Sequence, residues 1–346
     1  MNYDDQYGGW TTNGWVRDMT DVQRYIEAGT RANTRRSYQA AVTHFEVTWG
    51  GSLPATSDSI ARYLADFAGT LTINTLKQRL AGLSQWHVTQ GFADPTKTPT
   101  VRKVLKGIRA VHGTEEKQAA PLQLQHLEEA VQWLSMEAAT AQQAGDRRTL
   151  LRSQRDAALL LIGFWRGFRS DELCRLQVEH VTAKAGEGMS IFLPRSKSDR
   201  EYRGASYSAP ALKHLCPVEA YLNWLSVAGL ASGPVFRRVD RWGNVGAGGM
   251  NPESLVKVLQ QTLQRAGIQG GQYTTHSLRR GFATWAAANG WDIKALMLYV
   301  GWKDMKSAIR YIDPVISFGG LAVQPALGKH LIQELTAPKL IPPPGK

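Results

Sequence analysis

Apolar residues recur at helical spacing along most of the chain, and the pattern breaks once, between about residues 178 and 209. A chain patterned this way packs helices on helices and leaves room for one small sheet. Before the break, the spacing predicts helices near 16–28, 34–49, 57–68, 74–90 and 99–112. Thr34, Ser57, Asn74 and Thr98 are the expected N-caps, and Gly29, Gly69, Gly91 and Gly113 the expected stops. No strand-like alternation intervenes, so this third reads as a helical bundle. Two longer helices follow, near 122–144 and 149–166. In the break itself, short apolar runs such as Met189–Leu193 alternate with polar turns around Gly186 and Lys197, which predicts a small antiparallel sheet. Helical spacing returns at 217–229, 251–267, 275–289, 292–299 and 304–312. The glycine-rich stretch Gly243–Gly249 has no strand leading into it and lacks a following Lys-Ser/Thr, so it predicts a flexible surface loop and not a phosphate-binding loop.

The organisation expected from this pattern is a loose polar tail over residues 1–14, a helical domain over 15–112, a polar linker over 113–121 ending on Pro121, and a larger domain over 122–346. Forty-one Lys and Arg against 29 Asp and Glu give a net charge of +12 and a pI near 9.7. That sign favours polyanions, with nucleic acid first among them. No apolar run reaches the roughly 18 residues of a spanning helix, and the first residues have neither a basic nor an apolar signal region, so the expectation is a soluble, cytoplasmic protein without a membrane partner. Cys174 and Cys216 lack any ligand-like spacing and read as free thiols.

The helix predicted at 99–112 opens on Thr98-Pro99, as helices commonly do. At about 100° per residue its basic residues segregate: Arg102, Lys103, Lys106 and Arg109 fall together, opposite Val101, Val104, Leu105, Ile108 and Val111. In a chain of this charge the basic face is expected to lie along DNA phosphates.

The segment His276-Ser-Leu-Arg279-Arg-Gly281 places an imidazole and a guanidinium three residues apart, on one face of a predicted helix, with Leu278, Phe282 and Trp285 on another. Such a pair suits a phosphoryl transition state, one group moving a proton and the other binding two oxygens in a fork. Three further pieces share the larger domain. Gly167-Phe-Arg169-Ser-Asp-Glu172 puts an arginine at a turn into a short helix, with a glutamate three residues on. Lys197 sits in a turn between two predicted strands. Gly301-Trp302 is followed nine residues later by Tyr311.

Each piece alone has an ordinary explanation in capping, solvation or packing. In this order and spacing they resemble the tyrosine recombinases, the phage integrase family, over roughly residues 120–315; the first third agrees with that family only in size, helicity and basic character. The resemblance implies a mainly α fold, with a helical DNA-binding domain and an α+β catalytic domain carrying a small antiparallel sheet. It implies that Arg169 and Arg279 grip the scissile phosphate, that Glu172 steadies the first of them, and that His276 is the family's imidazole. It likewise implies that Lys197 is the sheet-turn lysine and Tyr311 the nucleophile. Trp302 stands where the family usually has a second histidine, and its indole N–H can still donate to a phosphate oxygen.

The expected activity is site-specific recombination of double-stranded DNA by a homotetramer on two sites, through a 3′-phosphotyrosyl link and a Holliday junction, with no metal or cofactor. Within the C-terminal part, Leu327, Leu331, Ile332 and Leu335 form an apolar stripe that packs either on its own domain or, as the resemblance suggests, on a neighbouring protomer. The nearest rivals are a type IB topoisomerase-like enzyme that relaxes DNA, a non-catalytic DNA-binding protein on the same fold, and a metal-dependent nuclease.

Overall fold

The computed structural model describes residues 21, 24–26, 28–113, 119–195, 203–305, 308 and 309. The chain divides into two compact units, Met1–Lys117 and Gln118–Lys346.

In the first unit the described helices are α1 (Ala32–Thr43), continued by a wider π-helical turn over His44–Thr48, α2 (Ser57–Asp66), α3 (Ile73–Thr89) and α4 (Pro99–His112). Their apolar faces meet in a core of Phe45, Ile60, Tyr63, Leu64, Leu76, Leu83 and Val101, which is the bundle expected from the spacing. Most of the predicted caps are displaced. Thr56, not Ser57, caps α2 by accepting the Ser59 N–H, and Thr72, not Asn74, caps α3 by accepting that of Thr75. Where several small polar residues stand together, the one in extended backbone takes the cap. Similarly, α1 begins at Ala32, two residues before Thr34. Thr98 does flank α4 in extended backbone, but its hydroxyl donates to Pro95 O at 3.2 Å instead of capping.

On α4, Val101 is buried and Val104, Leu105 and Ile108 pack against the core, while Arg102, Lys103, Lys106 and Arg109 are exposed. Val111 departs from the expected apolar face: it is 79% exposed in the last turn, beyond the reach of the core. The helix predicted near 16–28 lies mostly outside the described residues, as does most of the linker.

The second unit is built around α6 (Arg147–Arg166), which runs back along α5 (Leu124–Gln143) after a tight turn at Gly145. Its two halves differ. The first carries arginines, and the second, from Ala158 to Arg166, is buried at every position, as a helix covered on all sides must be. A short helix α7 (Ser170–Cys174) follows, then three strands, β1 (Val181–Lys184), β2 (Gly188–Leu193) and β3 (Ala205–Pro210), paired antiparallel in that order, with Ile191 opposite both Val181 and Tyr207. Met189, Ile191 and Leu193 alternate inward, so the sheet's apolar face closes the core. Cys216 and Cys174 are free and buried, and the Cys216 sulfur accepts the Glu219 N–H at the start of α8 (Pro217–Ala228).

The glycine-rich stretch is not the loop the sequence suggested. Val245–Gly249 forms a strand, β5, paired with β4 (Arg237–Val239) in a hairpin. Its strand character comes from its partner and not from its composition: Gly249 packs so closely on Cys174 O and Pro234 that a Cβ would lie 3.2 Å from the carbonyl. Three further helices are described, α9 (Pro252–Arg265), α10 (Thr275–Ala288) and α11 (Ile293–Val300); the helix expected at 304–312 lies mostly outside the described residues. No helix among the described residues is long and apolar enough to cross a membrane.

Candidate active site

Helix α10 begins with a reciprocal cap: Thr274 Oγ1 accepts the His276 N–H at 3.2 Å, and the Thr274 N–H donates to Ser277 Oγ at 2.9 Å. The helix then runs across the start of the unit. The Leu122 N–H donates to Ser277 O, and a Cβ on Gly281 would stand 2.1 Å from Leu122 O, so only glycine allows this crossing. Leu278 and Phe282 are anchored in the core as expected. His276 and Arg279, however, occupy different environments: the imidazole is exposed near the helix start and the guanidinium is 1% exposed beneath it.

Arg279 is held where α6 ends. Its Nη1 donates to Gly167 O at 2.7 Å, and its Cζ lies 5.1 Å from the centre of the Trp302 ring. Gly167 takes φ +58, which reverses the chain directly after α6 and delivers Arg169 to the start of α7. Glu172 joins the two arginines. Its Oε2 accepts the Arg169 backbone N–H and its Oε1 accepts Arg169 Nη1, each at 2.8 Å, and Oε2 also lies 4.0 Å from Arg279 Nη1. Arg169, Glu172, Arg279 and Trp302 are therefore one cluster, although they lie on three separate stretches of sequence. Lys197 and Tyr311 lie outside the described residues; the strands on either side of the former, β2 and β3, are paired.

Two members of this neighbourhood carried no sequence signal. Arg166, the last residue of α6, is 1% exposed, with its Cζ 3.9 Å from the ring centre of Tyr299, 5.1 Å from that of Tyr207 and 5.6 Å from that of Phe168. It donates to Ser208 O and Tyr299 O, tying β3 and α11 to the Arg169 turn. Tyr207 packs against the Gly301 backbone, where a Cβ would be 3.0 Å from its hydroxyl. Burial pushes its phenol pKa up and Glu172 adds to that, against opposition from Arg166, Arg279 and Arg169, so this tyrosine stays protonated at neutral pH. An aliphatic-looking helix end and a strand tyrosine resemble ordinary core positions until the fold collects them.

Glu172 set between the Arg169 and Arg279 guanidiniums leaves a site suited to an oxyanion. Removing that carboxylate exposes the two arginines to each other in a poorly solvated place. Glu172→Ala is expected to lower stability by about 3 kcal/mol, the cost of breaking a buried ion pair, read as a lower midpoint in urea unfolding.

Residues 147–315 match the model of the phage integrase family. Over 301 residues the chain is 29% identical to the integrase/recombinase xerD homologue of Selenomonas ruminantium, covering 84% of each chain. It is 25% identical over 288 residues to the Cre recombinase of Escherichia phage P1; the match covers 78% of this chain and 80% of that one. A solved structure of the XerH site-specific recombinase, bound to palindromic difH substrate in a post-cleavage complex, shares the fold with a TM-score of 0.56, at 17% identity, over 80% of this chain and 75% of that one. Residues 147–315 are thus a phage integrase family domain, and the proteins that the chain as a whole is similar to are tyrosine site-specific recombinases.

Proposed function

We propose that the protein cuts and rejoins double-stranded DNA at a specific site through a 3′-phosphotyrosyl intermediate, with exchange passing through a Holliday junction. The observation that carries this reading is the bridging of Arg169 and Arg279 by Glu172 beside Trp302. In the proposed reaction the Tyr311 oxygen attacks the scissile phosphorus while His276 accepts its proton. A phenol with a pKa near 10 needs such a base at neutral pH. Arg169, Arg279 and the Trp302 indole N–H stabilise the non-bridging oxygens. Lys197 protonates the departing 5′ oxygen. The bond to tyrosine conserves the phosphodiester energy, and a 5′ hydroxyl from the partner strand reverses the step, so the chemistry needs neither nucleotide nor metal. The Arg169 side chain is 25% exposed and that of Arg279 only 2%, so Arg169 is the arginine an incoming phosphate reaches first.

On this reading the first unit grips DNA through the exposed Arg102, Lys103, Lys106 and Arg109 of α4. Replacing two of them by alanine is expected to weaken binding uniformly across sequences and to reduce the slope of log K against log salt by about 2. An unchanged slope removes this helix from the interface. Assembly on two sites as a tetramer is assigned to the stripe of Leu327, Leu331, Ile332 and Leu335, which lies outside the described residues. Truncation at Pro325 is then expected to preserve binding of single sites and abolish synapsis in native gels; assembly of two sites by the truncated chain excludes docking in trans. The experiment that tests the whole reading is sequencing of the DNA trapped covalently on the protein, which reports site and linkage together. Recombination of two-site plasmids, without mere relaxation, separates a recombinase from a topoisomerase. Cleavage that persists in chelator excludes a metal-dependent nuclease.

A further inference from the structure

Arg166 carries a charge into the core without a carboxylate of its own. It is 1% exposed, and Glu172, the carboxylate of this neighbourhood, is engaged by Arg169 and Arg279. Its Nε has no hydrogen-bond partner among the described residues. A guanidinium buried in this way is costly, and an apolar side chain would close the end of α6 at lower cost if packing were all that was needed. What the guanidinium does have is two carbonyls and a set of rings. Nη1 donates to Ser208 O of β3 at 3.0 Å and Nη2 to Tyr299 O of α11, while Cζ lies 3.9 Å from the ring centre of Tyr299. A planar fork can donate along its edge and stack on its face at the same time; an ammonium cannot. Tyr299 is therefore held twice, by its ring and by its carbonyl.

Trp302 follows Tyr299 closely, and the chain between them has little freedom. Helix α11 ends at Val300, Gly301 reverses the chain at φ +74, and the N–H groups of Gly301 and Trp302 both donate to Met297 O, the latter at 2.9 Å. Packing closes on this turn from two sides. A Cβ on Gly301 would stand 3.0 Å from the Tyr207 hydroxyl, and a Cβ on Gly167 would stand 3.3 Å from Val300 Cγ1. The indole delivered by the turn is 7% exposed, with its ring centre 5.1 Å from Arg279 Cζ. The Tyr299 ring also stacks on Phe282, with 5.1 Å between centres, and Phe282 lies on the helix that carries Arg279. Whatever holds Tyr299 thus holds the indole and the floor beneath Arg279 together.

We infer that Arg166 is a positioning residue of this site: by clamping Tyr299 it fixes the end of α11, and through Gly301 it sets the Trp302 indole beside Arg279. It touches no reacting atom and acts through Trp302. The same guanidinium holds β3 by Ser208 O, so the clamp spans three elements: the end of α6, the last strand of the small sheet and the turn before Trp302. What the indole is set to do, donating to a phosphate oxygen, rests on the proposed function. The clamp itself does not.

The test joins a spectrum to a rate, both on the full chain. With 5-fluorotryptophan incorporated, the fluorine lines of Trp302 and of the exposed Trp242 are each assigned by their loss in the matching Trp→Phe variant. Arg166→Met and Arg166→Lys are expected to shift and broaden the Trp302 line and to leave the Trp242 line in place. On the duplex to which the parent chain becomes linked, Trp302→Phe removes one donor and is expected to slow single-turnover adduct formation about 10²-fold. Arg166→Met is expected to slow it by no more than that, at unchanged DNA affinity, and Arg166→Lys by roughly tenfold, since it keeps the charge without the fork. Arg166→Met combined with Trp302→Phe is expected to be no slower than Trp302→Phe alone, because nothing is left to position. A Trp302 line unmoved in both Arg166 variants, or losses that multiply in the double variant, overturns the inference. Recovery of Arg166→Met on DNA with sulfur at the 5′-bridging position also overturns it, by routing the effect through β3 to Lys197. Should Arg166→Met not fold, Arg166→Lys decides by the same readings. A parent chain that forms no adduct removes the proposed reaction, and the fluorine line then decides the clamp by itself.

Discussion

Tyr311→Phe is expected to bind its DNA with the affinity of the parent chain and to form no covalent protein–DNA adduct at all. The substitution removes one oxygen, which is the atom that attacks phosphorus in the proposed reaction, and leaves the ring to pack as before. Tyr207, in the same neighbourhood, is a poor substitute: it is half-buried, its phenol pKa is raised by burial and by Glu172, and it packs on the Gly301 backbone. The measurement is denaturing electrophoresis of labelled DNA after incubation with protein, alongside a binding isotherm. An adduct from Tyr311→Phe overturns the assignment of the nucleophile, whereas loss of binding together with loss of adduct points to a folding defect.

Lys197→Ala and Arg169→Ala are expected to fail for different reasons and to be separable by one atom in the substrate. Without Lys197 the 5′ oxygen must leave as an alkoxide of high pKa, so cleavage of ordinary DNA should slow by about 10² to 10⁴-fold, the range of general acid catalysis. When sulfur replaces that bridging oxygen, the leaving group departs as a thiolate and needs no proton, so the rate should recover. Arg169→Ala loses a guanidinium that binds non-bridging oxygens, and Glu172 then keeps a buried carboxylate without its 2.8 Å partner, which turns the field against an anion. Sulfur in the bridging position cannot repair that. Single-turnover rates on the two substrates decide the matter. Rescue of neither variant, or of both, makes Lys197 something other than the acid.

Much of the architecture was legible from spacing alone, because helix periodicity and a single break at 178–209 are local properties of the chain. The bundle over the first third, the two long helices, the small antiparallel sheet and the basic face of α4 all follow from residues within one or two turns of each other. The motif residues were legible for a different reason. Arg169, Glu172, Arg279 and Trp302 stood out because their order and spacing along the chain resembled a known pattern.

The tertiary structure decided what depends on partners distant in sequence. The stretch Val245–Gly249 has no strand propensity of its own and becomes a strand because it pairs with β4, whose Val239 and Arg237 carbonyls are held by Arg152 and Arg155 of α6. His276 and Arg279, three residues apart, end in solvent and in the core, since only the packing of α10 beneath Leu122 determines which side is covered. Arg166 looked like any helix-terminal arginine. Only the convergence of Phe168, Tyr207 and Tyr299, with Ser208 and Tyr299 carbonyls, makes it a caged cation behind the site. Periodicity along a chain determines which face of each element is apolar; what that face meets, and so which charges are buried together, is settled only when the elements close on one another.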